Sequence, residues 1–155
     1  MSGRTAVEKD NAPTGSAEGA KPLTEAALRK MPVAQYMNAE QMAFFRDRLR
    51  NMQREILDNA SNTSAHLREH HAEPDVADQA SIEEENALEL RTRDRERKLL
   101  RKVEEALARI DDGSYGYCEE TGEAIGIPRL LARPTATLTI EAQSRREQKQ
   151  KLFGR

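Results

Sequence analysis

The sequence predicts a mainly α protein: a long antiparallel two-helix coiled-coil hairpin joined to a small globular head that closes with a C-terminal helix. Three observations carry that expectation. Apolar residues recur at alternating three- and four-residue steps in two separate stretches, a proline-bearing turn falls between them, and the composition is too polar for a compact globule. Of 155 residues, 37% are hydrophobic, 34% charged and 4% aromatic, with no Trp. A hairpin suits that composition because each helix needs only a narrow apolar seam.

Residues 1–22 are rich in Gly, Ala, Ser, Thr and charge, broken by Pro13 and Pro22. They open a flexible N-terminal tail over residues 1–37, which carries a short helix from Thr24 through Lys30, ended by Pro32. The first long helix starts at Asn38, a good N-cap, with Gln41 placed for a capping box and Met37 and Met42 for a hydrophobic staple. Met42, Phe45, Leu49, Met52 and Ile56 then step at heptad spacing, continued by polar Asn59 and Thr63. Run to about His70, this helix spans roughly 45–50 Å.

Pro74 turns the chain. The second helix is expected from Val76 to Ile110, stopped by Asp111-Asp112-Gly113, with Leu100, Val103, Leu107 and Ile110 on its seam. Folded back at Pro74, Leu100 falls opposite Leu49 and Val103 opposite Phe45. The hairpin thus covers residues 38–110 with its tip near 70–80. Toward the tip the seam turns polar, through Asn59, Thr63, Asn86 and Arg93, so the base should pack better than the tip. Residues 111–155 form the head: a strand and tight turn over Tyr115–Gly122, a connector over Ile125–Pro134, and a helix over Leu138–Lys151.

The formal net charge is -2, whereas a duplex DNA reader normally carries a basic excess, so direct sequence-specific DNA binding is disfavoured. The single cysteine, Cys118, rules out an intrachain disulfide and fits a reducing compartment. No apolar run approaches the roughly 20 residues that span a bilayer. The N-terminus lacks the apolar core of a signal peptide, and a cytoplasmic location with no membrane contact is expected.

Cys118 and Thr121 are spaced as the first half of a C-x2-C pair, and Thr139 and Ala142 fall where the second pair belongs. With four thiols this frame is a strong zinc signal. With one it is not, because threonine hydroxyls are poor zinc ligands and alanine is none. The head is therefore expected to be zinc-finger-like but metal-free, and no cofactor is assigned. Cys118 reads first as a small buried hydrophobe and second as a redox-active thiol. His66, His70 and His71 with Glu69 read as a solvated helix end, since H-E-x-x-H is missing.

Taken together, the residues resemble the DksA branch of the DksA/TraR zinc-finger family. The resemblance runs from Tyr36 to about Ala142. It rests on Tyr36-Met37-Asn38, on Asp75-Val76-Ala77-Asp78-Gln79-Ala80 (the family's D-x-x-D-x-A), and on Glu83-Glu84-Glu85. It continues in Leu88-Glu89-Leu90-Arg91, Arg93 through Leu99, Gly116-Tyr117-Cys118-Glu119, Ile125 through Leu130 and Ala132 through Ala136. The resemblance implies a non-enzymatic regulator that enters the secondary channel of RNA polymerase and places its hairpin tip near the catalytic centre. It further implies destabilised promoter complexes, action with the alarmone ppGpp in the stringent response, repression of ribosomal RNA promoters and activation of some biosynthetic ones. The departure is the metal frame, where Thr121, Thr139 and Ala142 replace family cysteines, as in cysteine-poor variants.

In isolation Asp75 and Asp78, three apart at a helix start, would be a capping device, and the charge runs would be solvated faces. The resemblance makes Asp75, Asp78 and Ala80 polymerase-contacting tip residues and Arg95 a contact along the hairpin. It places Lys98, Leu99, Lys102 and Arg133, with Arg129 as a weaker candidate, at a ppGpp surface shared with polymerase. Guanidinium and ammonium groups are the expected partners of pyrophosphate. Gln143 stands where the family has another basic residue. The chain itself is expected to be a monomer. The competing reading is a helical-hairpin adaptor with a different protein partner, which needs the seam but no tip aspartate. A metal-dependent hydrolase fits poorly, for want of a Gly-rich phosphate loop or a nucleophile–base pair.

Overall fold

The computed structural model describes residues 21–69 and 76–154 of the chain. Its order is α1 (Glu25–Lys30), a 3-10 turn (Val33–Gln35), α2 (Ala39–Glu69), α3 (Val76–Asp112), α4 (Ile127–Ala132) and α5 (Ile140–Phe153).

The two long helices form the hairpin. Arg46 meets Asp111 at 3.0 Å near the base, and Ser64 bonds Arg93 further out, so the sequences run in opposite directions. Phe45, Leu49 and Ile56 of α2 are buried with Val103, Ala106 and Ile110 of α3, and Met42, Met52, Leu100 and Leu107 pack against them. That is the heptad seam read from the sequence. Beyond Ile56 it is polar: Arg93 donates to Ser64 across the pair, and Leu57, Leu88 and Leu90 face solvent.

The start of α2 follows its sequence signals with one change. Asn38 Oδ1 accepts from the Gln41 N–H at 2.9 Å, as an N-cap should. Gln41 reaches back not to the cap residue but to the Met37 N–H at 2.8 Å, because the Asn38 N–H is already bonded to the Gln35 carbonyl. Met37 holds a left-handed φ of 52°, which turns the chain sharply into the helix. A side chain at Gly116 would meet the Met37 thioether at 2.7 Å, so only glycine permits this approach.

The head differs from expectation in four places, the first being its closing helix, which starts at Ile140 after the Thr139 cap and ends at Phe153 rather than spanning Leu138–Lys151. No strand forms among the described residues; Tyr117 and Ala124 make an isolated antiparallel bridge. The pairing stops there because Gly116 and Gly126 flank it with φ values of 89° and 101°, and the Glu119 N–H turns away to the Thr137 carbonyl. The expected connector contains α4, started by Pro128 in its first turn. The second long helix also runs two residues past Ile110, to Asp112, before Gly113 stops it at φ 82°.

The short helix α1 is capped by Thr24 and packs against α4. Leu28 is 1% exposed, and Leu23, Met31 and Tyr36 join the same core. Part of the segment expected as tail therefore covers the head, through a few apolar contacts too sparse to register in composition. No helix among the described residues is long and apolar enough to cross a membrane.

Candidate functional site

Residues singled out in the sequence fall into three places: the outer end of the hairpin, a concavity at its base, and the knuckle around Cys118. Asp78 lies in the first turn of α3, where its carboxylate complements the helix dipole. Asp78, Ala80 and Glu83-Glu84-Glu85 are all exposed. Asp75, Pro74, His70 and His71 lie outside the described residues. Arg95 is exposed further down the same helix.

About 36 Å along α3 from Asp78, at 1.5 Å per residue, Lys102 enters a cavity at the base. This cavity, of about 520 Å³, lies between α3, the end of α4 and α5. It gathers Leu99, Lys102, Arg129 and Arg133, together with Gln143 and Arg146 from α5. Lys98 does not line it; its ammonium pairs with Asp94 at 3.0 Å on the exposed side of α3. Arg129 is held in the wall by its Nε, which donates to the Leu138 carbonyl at 2.8 Å. Lys102, Arg133 and Arg146 take part in no ion pair among the described residues. The two acids on the lining are Glu105 and Glu119, and Glu119 leans toward Arg109 at 3.7 Å. The cavity is thus a cationic recess with an apolar patch of Met52, Leu99 and Pro134, suited to an anion that carries a ring.

Sequence reasoning passed over Arg146, although it stands one helical turn after Gln143 and shares its face. It also passed over Arg109, whose guanidinium bonds the Ser114 and Tyr117 carbonyls at 3.3 and 2.7 Å and ties hairpin to head. A larger cavity of about 830 Å³ between α1 and α2, walled by Leu23 and Phe44, holds none of the singled-out residues.

The knuckle brings Cys118, Thr121, Thr139 and the start of α5 together. Burial pushes the Cys118 thiol up, but hydrogen bonds outweigh it and lower it to about 7. The donors are the Thr121 hydroxyl and the backbone N–H groups of Thr139, Thr121 and Glu120. Thr139 caps α5, its hydroxyl accepting from the Ala142 N–H at 3.3 Å, while Ala142 is fully buried. One thiol, two hydroxyls already in hydrogen bonds and a methyl do not make a tetrahedral zinc set. Tyrosines take over the fastening. Tyr36 Oη donates to the Gly116 carbonyl at 2.6 Å and accepts from the Gly126 N–H at 3.0 Å, and Tyr115 Oη donates to the Pro134 carbonyl at 2.6 Å.

Comparison with known proteins gives a consistent result. Residues 41–110 match the family described as DnaK suppressor protein DksA, N-terminal domain, and residues 113–148 match the prokaryotic dksA/traR C4-type zinc finger. The chain is similar to an RNA polymerase-binding transcription factor DksA of Caulobacter vibrioides, 52% identical over 76% of this chain and 83% of that one. It is similar to the protein of the same description from Escherichia coli K12, 44% identical over 79% and 82% of the two chains. Among solved structures it resembles transcription factor DksA2 from Pseudomonas aeruginosa, with a TM-score of 0.76 and 45% identity, covering 82% of this chain and 98% of that one.

Proposed function

The chain belongs to the DksA family, and from that premise we propose that it is a transcription regulator that binds RNA polymerase by inserting the hairpin into the secondary channel. The observation that carries this reading is the length of one continuous helix. α3 holds exposed Asp78 and Ala80 at its outer end and Lys102 at its base, about 36 Å apart, so a tip can reach deep into a channel while the head stays outside. Asp78, with Asp75, makes polar contacts near the catalytic centre, and the small Ala80 allows close approach. Arg95 contacts the channel wall.

The cationic recess at the base takes ppGpp at the shared surface with polymerase, through Lys102, Arg133, Arg129 and the apolar face of Leu99. Lys98 contributes from outside the recess. The protein acts as a cytoplasmic monomer, destabilises promoter complexes, represses ribosomal RNA promoters and activates some biosynthetic ones. It reads no DNA sequence and needs no zinc.

The test is transcription in vitro from a ribosomal RNA promoter, with purified polymerase, with and without ppGpp. Asp78→Asn keeps the helical fold, because the residue is exposed, yet abolishes promoter inhibition. Unchanged inhibition by Asp78→Asn would instead favour a hairpin adaptor with another partner.

A further inference from the structure

We propose that Arg146 supplies the cation by which α5 grips a guanosine polyphosphate in the basal recess; the inference rests on the nucleotide reading above. Three observations lead to it. First, α5 lines the recess with two side chains only, Gln143 and Arg146. Second, Gln143 is neutral and is engaged along its own helix, its amide donating to Glu147 Oε1 at 2.8 Å. Without Arg146, α5 would bring no positive charge to the site. Third, Arg146 has no carboxylate partner among the described residues, so its guanidinium need not leave an ion pair to meet a phosphate.

Geometry favours this assignment. Helical side chains lean back toward the N-terminus, so Arg146 covers the patch over the turn that carries Gln143. An arginine also reaches further than a glutamine and presents a planar fork that matches a phosphate edge. The ligand chemistry asks for more than one such group, because a guanosine polyphosphate carries two phosphate chains on opposite sides of its ribose. Lys102 serves the recess from α3, Arg129 and Arg133 from the end of α4, and Arg146 from α5, so three separate elements close on one anion. Glu105 faces the same space and opposes anion entry, which makes a cation on α5 the more necessary.

The experiment measures the lifetime of a ribosomal RNA promoter complex across a ppGpp titration, at saturating regulator. Arg146→Gln is expected to raise the half-maximal ppGpp concentration roughly ten- to hundredfold, the worth of one charge-assisted contact, with polymerase affinity in the absence of nucleotide unchanged. Adding Gln143→Lys to that variant should recover most of the loss, because it returns a cation to the same face. Lys102→Gln serves as the reference for the recess itself. If Lys102→Gln is impaired while Arg146→Gln titrates like the parent, Arg146 is not part of the site. Weakened polymerase binding without nucleotide would make Arg146 a polymerase contact and overturn the inference. A parent-like titration of both variants would instead bring down the nucleotide reading.

Discussion

Replacing Tyr36 by Phe tests how a head of this kind holds together without a metal. The substitution removes one oxygen and leaves the ring, so the edge-on contact with Tyr117 at 5.7 Å survives. Two hydrogen bonds are lost, to the Gly116 carbonyl at 2.6 Å and from the Gly126 N–H at 3.0 Å. Gly116 is buried and Gly126 half-buried, so water replaces the hydroxyl poorly. Two net contributions of this kind put the loss near 2 kcal/mol. Urea unfolding at neutral pH, followed by far-UV circular dichroism, should show a lower midpoint with an unchanged slope. The pH dependence supplies a second reading. Burial raises the Tyr36 hydroxyl above its ordinary 10.0. A group raised on folding stabilises fully below its unfolded value, and that part is lost as pH climbs past it. The gap between parent and Tyr36→Phe should therefore narrow in alkaline solution above pH 10.0. A neutral-pH loss below about 0.5 kcal/mol would refute the idea that Tyr36 clamps the head.

Other substitutions probe the remaining parts. Phe45→Ala should cost about 4 kcal/mol in the same urea assay, since the ring is fully buried against Phe44 and Tyr115. Leu88→Ala, at a position 62% exposed on the outer hairpin, should cost less than about 0.5 kcal/mol; equal losses would mean the two halves pack alike. The Cys118 thiol should titrate near pH 7 by thiolate absorbance or alkylation rate, and a midpoint near its ordinary 9.0 would contradict the hydrogen-bonded knuckle. Because that value is lowered on folding, its stabilisation is present above pH 9.0 and lost as pH falls through about 7, a dependence that Cys118→Ser should remove. Treatment with a chelator should change neither helicity nor Tm, and loss of helix would reveal a bound structural metal.

The hairpin was legible because its physics is local and periodic. Phe45, Leu49, Leu100 and Val103 announce a seam by spacing alone, and Asn38 and Gly113 mark helix ends by backbone chemistry. The head was less legible because contacts distant in sequence decide it. Tyr36 bonds residues 80 and 90 positions away, and nothing near Tyr36 encodes that reach. The strand read over Tyr115–Gly122 shortened to one bridge because glycine conformations and a bond to Thr137 override local β preference. In the recess, Lys102 and Arg133 follow from family resemblance, and only the fold brings them together in one cavity. Arg146 could have been found by asking which residue lies one turn beyond Gln143.

The lost metal frame and the cationic recess are linked through a single stretch of backbone, residues 136–142. In a four-thiol knuckle a metal would join the Cys118 turn to the start of α5. Here the same two segments are joined by the Glu119 N–H, which bonds the Thr137 carbonyl at 2.9 Å, while the Thr139 hydroxyl caps α5 from within. Buried Ala136, Leu138 and Ala142 fill the interior behind them. The Leu138 carbonyl in that stretch is also the acceptor that fixes Arg129 in the recess wall. Whatever holds the knuckle therefore also sets where α4 and α5 present their cations. Hydrogen bonds and apolar packing occupy that stretch, so the geometry of the recess is expected to survive treatment with a chelator.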